Sequence, residues 1–381
     1  CMAVFVIVGG GVAGLSAGIF AAKEGHRAIV IERHATPGGN FTGWRRGAYT
    51  IDNCVHWLIG TKEGGESERL WREVGVLDDA GVRRLPLLYT VEGGGESLSL
   101  FRDFDKTERA MLALSPEDRE ESLRFCRAVR ALMRLFRLSE TVSYAAAVRA
   151  LPTLARYSFL SAGALADRFS HPLLRRFMVG LVGRDFTSLA LLFTAAHFCA
   201  GNADLPAGGS LAAAARMAER FVSLGGELRT GTEVTRVLTS GGEAYGVRLA
   251  DGEEIAADAV ILTADPGCVF GKILDAPMPR ALLNFYRDPV MHRFSSVGCA
   301  FAAPFDLPFS GDFVLQVTRP GKSYEVGDGR LVLREFSHEP SFAPAGETVI
   351  TTMRLFYEDG CRHFLDLSED KAAYRKEKAR L

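Results

Sequence analysis

The first fourteen residues constrain this chain more than any other stretch. Residues 3–8 are an unbroken apolar run rich in Val and Ile, and Gly9-Gly10-Gly11-Val12-Ala13-Gly14 follows at once. The run reads as a strand buried on both faces of a parallel sheet. G-x-G-x-x-G between a strand and a helix reads as a nucleotide-binding turn. Small residues from Val12 to Lys23 predict the helix, with Gly18 continuing the spacing. Gly25-His26-Arg27 then predicts a turn, and Ala28-Ile29-Val30-Ile31 a second strand. Gly9 permits the tight turn, Gly11 lets a pyrophosphate approach the backbone, and Gly14 lets helix and strand pack closely. Val12 and Ala13 open the helix, where free N–H groups and the dipole favour a diphosphate. Glu32 stands 18 residues beyond Gly14. There it can accept hydrogen bonds from an adenosine ribose and repel a 2′-phosphate.

The next residues choose between dinucleotides. Arg33-His34-Ala35-Thr36-Pro37 leads to the pair Gly38-Gly39 and then Asn40. An NAD-binding turn has no need of that pair. In flavoproteins with two dinucleotide-binding domains the same spacing brings a second glycine turn beside the ribityl-phosphate part of FAD. FAD is therefore the expected cofactor, with Arg33, Gly38, Gly39 and Asn40 added to its candidate set.

At this point the chain resembles a known family. Gly9 to Gly18, the Glu32 to Gly38-Gly39 spacing, and the stretch from Tyr49 through Asp52, Asn53, Cys54, His56 and Trp57 to Gly60 look like the phytoene desaturase, carotenoid isomerase and retinol saturase group. Pro206-Ala207-Gly208-Gly209-Ser210 resembles that group's turn before a long helix, and Leu224 through Val247 its second flavin segment. The resemblance implies that Val234 presents its backbone to the adenine and that Thr263-Ala264 closes over the dinucleotide. It implies a flavoenzyme acting on C–C or C=C bonds of a long apolar isoprenoid or lipid. Asp52, His56 and Trp57 follow the FAD motif closely enough to approach the flavin ring, and His56 is the candidate catalytic residue, with a structural histidine as the alternative. Two departures stand out. Many relatives carry Arg after the glycine pair where this chain has Asn40, leaving Arg45 and Arg46 as candidate phosphate partners. The group also continues past Leu381 with a last strand and helix, so residues 361–381 are expected to begin a truncated C-terminal segment.

The expected fold is α/β: a Rossmann-type FAD-binding domain holding an inserted substrate domain of antiparallel sheet plus helical cap. Residues 1–60 and 201–270 form the discontinuous FAD domain, and 61–200 and 271–360 the substrate domain, with the cap at about 104–200. Leu87–Val91 and Ser97–Phe101 predict a hairpin. Phe294–Phe301, Phe313–Val317, Leu331–Phe336 and Val349–Phe356 are expected to join it in one antiparallel sheet. Ser115-Pro116-Glu117-Asp118 predicts a helix start, with Ser115 as N-cap and the helix running to Leu138. Phe186 to Phe198, including Phe193 and His197, reads as core before it reads as a substrate tunnel.

Composition excludes several classes. A net charge of −1 over 381 residues argues against nucleic acid as a partner. Seven scattered cysteines without C-x-x-C argue against a metal site or a disulfide framework and fit a cytoplasmic protein, which the arginine excess below would let attach peripherally to a membrane. Eleven arginines against two acids between Arg124 and Arg184 give a local charge of +9. That excess is either a solvated face or a docking surface for anionic membrane. Two further functions stay open: an amine oxidase-like flavoenzyme with a polar substrate, and a nucleotide-binding chain without catalysis. Oligomeric state is not legible.

Overall fold

The computed structural model describes residues 2–138, 144–287, 295–305, 312–316, 330–356 and 358–379. Phe294 and Val317, expected as strand ends, fall outside the described residues, as do the side chains of Phe136 and Arg137.

The apolar N-terminal run is the strand Val4–Val8, third in a four-stranded parallel sheet ordered Glu227–Arg229, Arg27–Ile31, Val4–Val8, Ala259–Leu262. Side chains alternate across such a sheet, and here both faces are covered. Ile7, Ala28 and Val30 meet Leu15 and Ile19 of the helix Val12–Lys23 and Met217 and Phe221 of the helix Gly209–Ser223. Val6, Val8, Ile29 and Ile31 meet Val234, Val247, Leu249 and Ile255 of the antiparallel strands Val234–Ser240, Glu243–Leu249 and Glu254–Ala256. Two dry faces explain why the sequence shows an unbroken apolar run instead of alternation. Gly241 and Gly242, both at positive φ, make the two-residue turn that joins the first two of those antiparallel strands.

A second, six-stranded sheet runs in the order Ser295–Pro304, Glu347–Phe356, Arg330–Glu335, Asp312–Gln316, Leu87–Gly93, Glu96–Phe101. The expected hairpin and the four later strands do share one sheet, but it is mixed. Asp312–Gln316 pairs parallel to Leu87–Gly93. Only strands joined by a tight turn are obliged to run antiparallel, and these two lie far apart in sequence.

Between the hairpin and residue 203 the described residues are mostly helical, with Phe125, Phe169, Phe177 and Phe198 fully buried at the centre of the cap. Tyr89 ties the sheet to this core: its hydroxyl donates to the Phe177 carbonyl at 2.8 Å and its ring stacks on Phe177. Phe198 and its neighbours Leu191, Leu192, Ala195 and Ala196 belong to the same core.

Ser115 is not the N-cap of the long helix. Its N–H closes the preceding helix, Phe104–Leu114, on Met111 O, and the next helix begins only at Arg119. Its hydroxyl donates instead to Asp118 Oδ2 at 2.9 Å. Asp118, 5% exposed, accepts from Ser170 N at 2.7 Å and His171 N at 2.9 Å. Long-range bonding outcompetes the local cap. The arginine excess is also less bare than the count suggests. Arg124 pairs with Glu120 and Glu121, Arg130 with Asp105 and Glu108, Arg168 with Glu121, and Arg184 with Asp167. Most of those acids precede the counted window.

Burial opposes ionisation of Asp118, but the bonds from Ser170, His171 and Ser115 outweigh it and hold its carboxyl below the ordinary range. A lowered carboxylate pKa stabilises the fold above the unfolded value and loses that contribution as pH falls through the folded one. Asp118→Ala is expected to cost about 1–3 kcal/mol in urea unfolding at neutral pH. The difference from the parent should shrink below about pH 4.

Candidate active site

The glycine turn is shaped by contacts that leave no room for side chains. Gly9 adopts φ 110°, and its N–H donates to Ile31 O at 2.8 Å. Thr263 locks it from the neighbouring strand: Oγ1 donates to Val8 O at 3.0 Å and Gly9 O at 3.2 Å. A Cβ on Gly9 would come within 2.7 Å of that Oγ1, and one on Gly14 would overlap the Gly9 carbonyl oxygen. Gly11 differs, because a Cβ there would meet only Gly38 and Gly39, at 3.8 Å. The helix beginning at Val12 has no side-chain cap and no acid in its first turn. Its leading N–H groups, Val12 and Ala13 among them, have no intrahelical partner and are available to an anion.

The structure brings the second glycine pair onto the first turn. Gly38 N donates to Gly10 O at 2.8 Å, and Gly11 and Gly38 form a parallel bridge. Glu32 also closes on this turn. Only 6% exposed, it accepts from Gly10 N through Oε2 at 2.7 Å and from His34 N through Oε1 at 2.9 Å. Its carboxylate thus braces the glycine backbone, a role the sequence does not reveal. Val234 is buried in the core that contains Ile29 and Ile31, and Ala264 is half-buried after Thr263. Arg33 and Asn40 are exposed, as are Arg45 and Arg46 on the hairpin strand Gly43–Arg46.

The hairpin's second strand, Tyr49–Asp52, leads from this cradle to a cleft. Asp52 is clamped to the start of the helix Gly209–Ser223, accepting from Ser210 N at 2.6 Å and Ser210 Oγ at 2.7 Å. Val55 N donates to the same hydroxyl oxygen at 3.0 Å. On the other side Arg334, 8% exposed, donates to two successive carbonyls, Val55 O at 2.7 Å and His56 O at 2.9 Å. The loop is thereby fixed between the helix Gly209–Ser223 and the six-stranded sheet. Beside it opens a cleft of about 260 Å³, with Asn53 and His56 on one wall and Cys299, Arg334 and Thr352 on the other. Tyr374 of the helix Lys371–Lys378 contributes to its rim.

His56 lines this cleft, with its ring 6.0 Å from that of Trp57. Trp57 packs against the cap core. Burial, with the Asp52 charge nearby, pushes the Cys54 thiol up, so it is a poor nucleophile. His197 lies away from the cleft against Asn202, and burial pushes it down to about 4. Arg334 and Tyr374 escape a reading of the sequence. For Arg334 one signal exists: strand alternation puts it on the same face as Val332, and both line the cleft.

Residues 12–376 match the flavin containing amine oxidoreductase family, and the chain belongs to it. Among curated proteins it is 26% identical over 305 residues to prolycopene isomerase 1, chloroplastic, of an Oncidium hybrid cultivar, covering 74% of this chain and 51% of that protein. It is 27% identical over 292 residues to phytoene desaturase (neurosporene-forming) of Rhodobacter capsulatus, covering 71% and 54%. The chain thus spans about half the length of the curated relatives it matches. Among solved structures an oxidoreductase from Methanosarcina mazei superposes with a TM-score of 0.63 at 17% identity, over 98% of this chain and 84% of that one. A redesigned putrescine oxidase gives 0.56 at 17%, over 100% and 81%. These likenesses establish the α/β Rossmann-type flavoprotein fold. FAD is the cofactor of such a fold, and the residues present fit it: an uncapped helix start, and a Gly11 whose missing side chain leaves the approach open.

The two glycines should separate on substitution. Gly14→Ala is expected to lower unfolding stability by several kcal/mol, as overpacking against backbone does. Gly11→Ala should leave the melting temperature nearly unchanged while weakening FAD uptake about tenfold or more, measured by fluorescence titration.

Proposed function

We propose that this chain is an FAD-dependent oxidoreductase acting on C–C or C=C bonds of a long apolar isoprenoid or lipid, by desaturation, saturation or isomerisation. The observation that carries the reading is the continuity of cradle and cleft. One hairpin leaves the glycine turn, and its loop, held by Asp52 and Arg334, becomes a wall of the cleft. The substrate class is supported by relatives named as a prolycopene isomerase and a phytoene desaturase.

FAD, when bound, supplies hydride-transfer chemistry. Around it the chain contributes a cradle and an ordered wall. Gly9, Gly11, Gly14, Val12 and Ala13 offer the diphosphate a close backbone and free N–H groups, and Gly38 and Gly39 extend that surface. Glu32 keeps the turn rigid and offers its remaining lone pairs to a ribose. Val234, Thr263 and Ala264 bound the adenosine side, and Arg33 and Asn40 stand at the solvent edge. His56 lines the cleft, and Trp57 anchors the same loop against the cap core. A hydrocarbon needs few acids or bases, so orientation and exclusion of water are the main contributions. At about 260 Å³ the cleft is slightly smaller than usual small-molecule sites. A long polyene would enter with only one section.

Asn53, His56 and Arg334 on the cleft wall favour a second reading, a polar amine substrate with oxygen as acceptor. Anaerobic mixing of the FAD-loaded chain with a polyene in lipid vesicles is expected to change the polyene's conjugated absorbance. Unchanged polyene, together with hydrogen peroxide formed from oxygen when an amine panel is oxidised in air, would replace the first reading by the second. Within either reading Arg334→Met is expected to loosen the His56 loop. Its signature is a loss of kcat about tenfold or more with a smaller change in KM, because a misplaced wall costs rate before binding. Arg334→Lys, which keeps the charge but not the fork, should recover only part of it.

A further inference from the structure

The helical cap carries an outward apolar stripe that none of the described contacts explains. The helix Tyr144–Tyr157 buries Ala150 and Tyr157 in the cap core. Its opposite side shows Val148 at 45% exposure, Leu151 at 56%, and exposed Pro152 and Ala155. At three- and four-residue spacing these four share one face. Just past the helix, Phe159 is 97% exposed. Phe186, 37% exposed, lies beside this turn, its carbonyl accepting from Ala162 N. Bare phenylalanine at the end of an apolar stripe marks an interaction surface.

We propose that this stripe docks the protein on an anionic lipid bilayer, with the Phe159 turn entering the boundary between headgroups and acyl chains. Charge complementarity selects this occupant. Arg149 and Arg156 are exposed, seven residues apart, on the same flank of the stripe. A helix with an apolar face and arginines beside it suits the interface of a negatively charged membrane. A second copy of the chain fits worse: a two-fold antiparallel pairing would set Arg149 of each copy near Arg156 of the other. The surface differs from the arginine row of the preceding helix, Arg119–Leu138, where Arg124 and Arg130 are held by acids. Among the described residues no helix is long and apolar enough to cross a membrane, so the contact is one of surface docking. It stands apart from the redox reading, because neither the cleft nor the cradle takes part.

Flotation of the whole chain with vesicles of phosphatidylcholine alone, or mixed with phosphatidylglycerol, tests the proposal without added flavin. Binding is expected on the anionic vesicles, and it should weaken as salt rises. Phe159→Ser, and separately Leu151→Ser, should each lower partitioning, the former about tenfold or more. The pair Arg149→Glu and Arg156→Glu should remove the preference for phosphatidylglycerol, also by about tenfold or more. All these side chains are exposed, so circular dichroism should match the parent. Absence of flotation overturns the proposal, as does flotation by Phe159→Ser equal to the parent. If Phe159→Ser instead abolishes a concentration-dependent dimer seen by light scattering and leaves flotation unchanged, the stripe is an interface between copies and the membrane assignment fails.

Discussion

The closeness of the first helix to the first strand is the constraint on which the molecule is built. Gly14 rests on the Gly9 carbonyl with no space for a single methyl group. That approach fixes the direction of the helix, and with it the direction of the free N–H groups at its start. It also sets the parallel sheet in register, since Gly9 N reaches Ile31 O and Thr263 N reaches Val8 O, stitching three strands at one level. Glu32 closes the arrangement from the end of the second strand. A buried carboxylate is costly unless its oxygens are bonded, and here two backbone N–H groups satisfy it.

The cleft depends on a different balance. A guanidinium as buried as Arg334 loses most of its hydration, and a buried charge persists only with good partners. Two carbonyls of one loop provide them, with Asp52 held nearby on the same segment. Ser210 contributes from the opposite side, its hydroxyl donating to Asp52 and accepting from Val55 N. The loop carrying His56 and Trp57 is therefore ordered by its backbone, which leaves both aromatic side chains to the cleft and the cap.

Much of the cradle was legible because it is local. Strand, glycine turn, helix, second strand and Glu32 lie within about thirty residues, and Gly9 and Gly14 answer to steric demands of the fold itself. The bracing of Gly10 by Glu32 was hidden, since spacing alone does not show which donor a carboxylate meets first. Ser115 departs from its local pattern for a related reason: the cap loses to a carboxylate committed to Ser170 and His171. Strand direction in the second sheet was misread because no hairpin joins Leu87–Gly93 to Asp312–Gln316. Arg334 and Tyr374 were invisible, as a strand arginine and a helix tyrosine become meaningful only once the chain has folded back.

The Arg334 bridge also implies an order of assembly. It spans 279 residues of chain, so the His56 loop has its partner only after residue 334 has emerged. Contacts so distant in sequence form late, when loop closure has already been met by other structure. The first strand, helix and second strand need no such delay, although the outer strands of their sheet also arrive late. A nascent chain would therefore shape the glycine turn well before it owns the cleft. Cradle and cleft would arise as separate events in the life of the molecule.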